Sequence, residues 1–177
     1  FGRVKVRFPW DRTRPTDDRS STWMRVGQAM LGGAMMHPRR DFEVLVDHEL
    51  GERDRPFVSG HLYNVERSVP YALPDNATRT AMQTATTAGG AGANELRFED
   101  GAGAEEIFLN ASKDMTVSIE HDGVWHTDHD ETVTIGGNHS MSVGTVHQRQ
   151  VGGARTLSVG GSQSLNVGGT LGENVGG

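Results

Sequence analysis

The chain has 177 residues, 34% of them hydrophobic and 6% aromatic, with a formal net charge of −6 and no cysteine. This balance gives no bulk positive charge to attract nucleic acid or an anionic membrane, and the absence of thiols excludes disulfides, thiolate zinc sites and cysteine nucleophiles. The apolar content is thin for one globule with a deep core, no apolar run is long enough for a transmembrane helix, and no signal-peptide pattern is present.

In chain order, residues 1–66 read as short strands. Arg3 to Phe8 alternates polar and apolar residues, the period of a half-buried strand. Trp23 to Val26, Phe42 to Asp47 and Pro56 to Tyr63 are three more, separated by turn residues at Pro9, Pro15, Gly32-Gly33, Pro38 and Gly51. Strands at this spacing suggest a small barrel or sandwich. The chain starts at Phe1, within a strand pattern, and so reads as a piece of a longer protein. Residues 67–104 read as a connector with few apolar anchors and one strand signal, Asn94 to Phe98.

From 105 to 177 a period of eight takes over, clearest over 133–177. Ile135, Val143, Val151, Val159, Val167 and Val175 share one position, each followed by a glycine: Gly136, Gly144, Gly152, Gly160, Gly168 and Gly176. Two residues before that beat stand Val133, Met141, Arg149, Leu157, Leu165 and Glu173, and the register extends loosely back to Val117 and Ile119. A flexible tail does not keep an apolar residue on a strict beat. Glycine in most turns excludes helix, collagen needs glycine every third residue, and the calcium-binding β-roll repeats every nine. What remains is a strand of about six residues with a corner at glycine, whose backbone freedom is expected to permit the bend. One octad is too short for a whole coil of a single-chain β-helix but long enough for one side of it. Three chains winding together would enclose Val133, Ile135, Met141, Val143, Val151, Leu157, Val159, Leu165, Val167 and Val175. Burying these side chains alone does not offset the entropy of ordering the chain, so a lone chain of this region is expected to be unfolded.

Several segments carry a family resemblance. FGRVKVRFPWDR, from Phe1 to Arg12, resembles the HGRVKVQFPWDR-type segment of the VgrG family, the valine-glycine repeat spikes of type VI secretion. PRRDFEVLVDHELGERDRPFVSGHLYN, from Pro38 to Asn64, is similar to a second segment of that family, and GGAGANELRFEDGAGAEEIFLNASKDM, from Gly89 to Met115, to its junction before the repeat. The resemblance implies an all-β chain, an OB-type barrel followed by an intertwined triple-stranded β-helix in a homotrimer. The puncturing needle of contractile phage tails shares this architecture. It implies a structural, non-enzymatic role without cofactor, nucleic acid or catalytic residue. The expected partners are hub and tube-end proteins on the N-terminal side and a tip protein or effector at the distal end, with transient contact at a target membrane. Assembly is expected in the cytoplasm, followed by export through the injection machine. By this resemblance the family's large N-terminal hub domains and the first strand of its barrel are expected to lie outside the chain, whose end is expected to fall inside the repeat. Arg40-Asp41 departs from the family's Ile-Gly at that turn, so a differently shaped loop is expected there.

Other readings of particular residues remain. An OB-type barrel can instead be a binding module for oligonucleotide or glycan on a trimerising stalk, and a phage needle or baseplate spike is a further alternative. No G-x-S-x-G elbow occurs, and the connector is too short to hold an inserted lysozyme. His121, His126, Asp128, His129 and Asp130 fall close together; His126, Asp128 and His129 are weak candidate metal ligands, against the plainer reading of solvent-facing residues on an irregular first turn. Arg149, in the inward register, either brings three guanidinium groups to one axis around an anion or ordered waters, or is carried outward by a local shift of the corner. The cost of three buried like charges favours the latter.

Overall fold

The computed structural model describes residues 2–13, 17–28, 32–87, 90 and 92–173; the expected turn at Pro15 and the expected beat at Val175-Gly176 lie outside them. The chain divides into two compact units, Phe1–Ser118 and Ile119–Gly177.

The first unit holds two sheets. Strands β1 (Arg3–Val4), β2 (Met24–Val26), β3 (Glu43–His48) and β4 (Pro56–Leu62) form a four-stranded sheet in the order β1-β2-β4-β3. β1 pairs antiparallel with β2, β2 runs parallel to β4, and β3 pairs antiparallel with β4. The expected strand at Arg3 to Phe8 is paired only at its start; beyond it the Val6 amide donates to the Ser21 hydroxyl at 2.9 Å rather than to a ladder. The core is small: Met24 and Val58 are each 2% exposed. Val58 lies opposite Val26 on one side and Val46 on the other, so the central strand carries the apolar contact. The register slips between Leu45 and Val46, a bulge that bends the β3–β4 pair.

Arg40-Asp41 keeps a tight turn. The Phe42 amide donates to the Arg39 carbonyl at 3.3 Å, and Asp41 has φ 68, the left-handed conformation that a glycine adopts freely. Aspartate is among the few residues that tolerate it. The departure from Ile-Gly therefore does not remove the left-handed corner.

The second sheet is three-stranded, in the order β5-β6-β7: β5 (Arg79–Ala85), β6 (Ala93–Glu99) and β7 (Glu106–Asn110), all antiparallel. Only β6 was expected from the sequence; β5 lies inside the segment read as connector.

Among the described residues no strand pairing follows β7. The backbone is extended and bends at 112–113, 120–121, 128–129, 136–137, 144–145, 152–153, 160–161 and 168–169. The interval is eight at every step.

Candidate trimer interface

These bends give the octads a physical frame. Alternate side chains of an extended segment point to opposite faces. Residues one, three and five places before each bend therefore share a face. Ile135, Val143, Val151, Val159 and Val167 stand one place before a bend, and Val133, Met141, Leu157 and Leu165 three places before. The five nearest the bend are 41–48% exposed and the other four 59–70%. All nine expose apolar surface at a fixed interval, a stripe far longer than soluble monomers present. Val175 lies outside the described residues. The opposite face is mostly hydroxyl and amide, with Thr132, Thr134, Ser140, Ser142, Gln148, Gln150, Thr156, Ser158, Ser164 and Asn166, though the exposed Val146 also falls on it.

The frame reaches further back than the valine-glycine beat. Val117 and Ile119 take the two apolar places before the bend at 120–121, and Trp125 stands three places before 128–129, with Thr127 one place before. The earlier corners carry no glycine, yet Ser112-Lys113, Glu120-His121 and Asp128-His129 all bend. Gly136, Gly144, Gly152, Gly160 and Gly168 do lie at bends, but backbone freedom is not why. None of them lies in the left-handed region, and a Cβ built on any of them meets nothing within 4 Å in its own chain.

The β5–β7 sheet has the same two-faced character. Met82, Leu96 and Leu109 lie in register across one face, with Phe98 beside Ile107. Met82, Phe98, Ile107 and Leu109 are exposed there. Leu109 also stands three places before the first bend, so it belongs to both the sheet face and the octad series.

The reverse face is closed by an electrostatic network. The Tyr71 hydroxyl donates to Glu95, and Gln83 donates to the second carboxylate oxygen at 3.1 Å. Arg97 donates to the Tyr71 oxygen at 2.8 Å and to Glu106 at 2.6 Å, with its guanidinium 4.3 Å from the Phe108 ring centre. Glu99 accepts from Thr78, from Arg79 at 2.6 Å and from the Gly101 amide at 2.9 Å. Tyr71's hydrogen bond, outweighing burial, lowers the Glu95 pKa. The Thr78 hydroxyl, then Arg79 and the Gly101 amide, pull that of Glu99 down to about 2. Bonds to Glu106 and Tyr71 raise that of Arg97. The network pairs most polar groups of that side within the chain but leaves the Arg97 Nε buried without a hydrogen-bond partner, while the apolar side stands exposed.

The histidine cluster is built from separate pairs. His121 meets Asp122, His126 meets Asp128 and His129 meets Asp130, each at 2.9 Å. No group of three or more His, Asp or Glu among the described residues could hold a metal ion. The bends at 120–121 and 128–129 keep the interval of eight, so this first turn is regular rather than irregular. Arg149 stands where Met141 and Leu157 stand, and the bends at 144–145 and 152–153 show no shift of the corner around it.

In the four-stranded unit, Phe8 stacks on Trp10 at 4.6 Å and Lys5 lies 5.1 Å from the Trp23 ring centre. Phe8 and Trp10 border an open pocket with His48 and Arg53.

Comparison with known proteins groups the β5–β7 sheet with the octads rather than with the four-stranded sheet. Residues 1–63 match the type VI secretion system/phage-baseplate injector OB domain. Residues 80–177 match the bacteriophage T4 gp5 C-terminal trimerisation domain. The chain is 44% identical over 140 residues to the type VI secretion system spike protein VgrG1b of Pseudomonas aeruginosa, covering 76% of this chain and 19% of that protein. It is 46% identical over 138 residues to VgrG3 of Vibrio cholerae, covering 76% of this chain and 14% of that protein. The chain thus spans about a fifth or less of the length of these relatives. No helix among the described residues is long and apolar enough to cross a membrane. An injector OB domain joined to a gp5-type trimerisation domain, on a sequence this close to the type VI spikes, places the chain in the VgrG family.

Proposed function

We propose that this chain is the barrel-and-shaft part of a homotrimeric puncturing spike in a contractile injection machine that delivers effectors into target cells. The observation that carries the reading is the exposed apolar residue on every beat of eight, set by bends from 112–113 to 168–169. A second and a third copy supply what such an extended chain needs: neighbours for its unpaired backbone groups and a cover for its stripe. The β5–β7 sheet exposes a second apolar face of its own.

In this reading Val133, Ile135, Met141, Val143, Val151, Leu157, Val159, Leu165, Val167 and Val175 form the trimer core. The barrel, over 1–66, meets the hub and tube-end proteins, and the far end of the parent protein meets a tip protein or effector. The role is mechanical and uses no catalytic residue or cofactor. Interwound chains closed on themselves cannot peel apart one strand at a time, so the shaft stays folded under axial load. Assembly precedes export, in the cytoplasm, and the machine carries the spike out.

Sedimentation equilibrium at two concentrations tests the assembly. Three chains that persist on dilution are expected, with Val159→Asp falling to monomer because it sets a carboxylate on the stripe in three copies. A wild-type chain that is monomeric and disordered by circular dichroism would sink the reading.

A further inference from the structure

From Thr132 to Gly172 the chain contains no acidic residue. Its cationic and titratable side chains in that span are His139, His147, Arg149 and Arg155. Measured from the bends, all four fall on the face of the apolar beat: Arg149 three places before a bend, the others five places before. The opposite face of the span carries no charge.

Arg149 holds the central place, between Met141 one octad before and Leu157 one octad after. A guanidinium cannot escape burial by losing its proton, as lysine or histidine can. Three in-register copies bring three such charges together, and no copy offers a carboxylate within that span. Repulsion and desolvation then have to be met by a mobile anion. Its fork of donors matches a tetrahedral oxyanion, which several arginines can share.

We propose that the assembled trimer holds a multivalent oxyanion of the phosphate or sulfate class between its three Arg149 side chains, with Arg155 adding to the field. The site is incomplete in one chain, since each copy supplies one third of it. This rests on the trimeric reading above.

The test uses the 177-residue chain with inorganic phosphate as probe. Protein exposed to phosphate, dialysed into chloride buffer and then denatured is expected to release one phosphate per three chains. Arg149→Met, which restores the apolar residue of the neighbouring octad, is expected to remain trimeric and release none. Adding phosphate is expected to raise the midpoint of thermal unfolding of the wild type, because the ligand binds only the assembled state. Arg149→Lys keeps the charge but not the fork, so it is expected to stay trimeric and lose most of that rise. A wild-type trimer that releases no phosphate and melts independently of it overturns the site and leaves the assembly standing. So does release from Arg149→Met equal to that of wild type, which would mark an adventitious ion only. A wild type that is monomeric and disordered by circular dichroism overturns both.

Discussion

Leu50 sits at φ 54, followed by Gly51 at φ 76, in the turn between β3 and β4. A leucine in the left-handed region costs about 1–2 kcal/mol, whereas asparagine enters it routinely. Leu50 is 89% exposed, so burial returns little of that cost. Leu50→Asn is expected to stabilise the chain by about 0.5–1 kcal/mol, read as a rise in denaturant midpoint. Glu99 governs a second property at this scale. Its carboxylate is held down to about 2 by the Thr78 hydroxyl, then by Arg79 and the Gly101 amide. A folded-state pKa below the ordinary value of 4.5 gives stability that is present above that value and lost as pH falls from it through about 2. Glu99→Gln is expected to flatten this acid limb, which thermal unfolding across that pH range would measure; an unchanged limb would show that the carboxylate contributes nothing there.

At the scale of elements, the β5–β7 sheet keeps its two faces for different partners. Ile107→Asp alters the exposed apolar face and leaves the Tyr71–Glu95–Arg97 network intact. It is therefore expected to preserve the far-ultraviolet β signal of the chain while weakening trimer formation; unaltered trimers by sedimentation would remove this face from the interface. The sheet was only partly legible beforehand. β6 alternates charge and hydrocarbon, so one face could be read directly. β5 alternates small residues around a single large apolar one, Met82, and passes for a linker. β7 has Ile107 and Leu109 on one face but Phe108 on the other, under the Arg97 guanidinium, which erases the alternation. The corners show the opposite error: glycine marked them in the sequence, yet Glu120-His121 and Asp128-His129 turn as well, and the frame began earlier than the glycines suggested.

For the whole molecule, the period was visible because one residue type returns to one place, and the family because its motifs occupy both ends of the chain. Arg149 was legible in the inward register, but His147 and Arg155 were less visible, because parity counted from the bends, rather than hydrophobicity, places them on the apolar side. That counting has a further consequence. Faces alternate every two residues and corners return every eight, so a shaft of this kind cannot be lengthened by arbitrary insertion. Whole octads added or removed leave every later valine in phase with the corners; a number that is not a multiple of eight puts all of them out of step together. Under the proposed assembly, reach is therefore inherited in whole steps, as on a ruler that can change only by complete divisions.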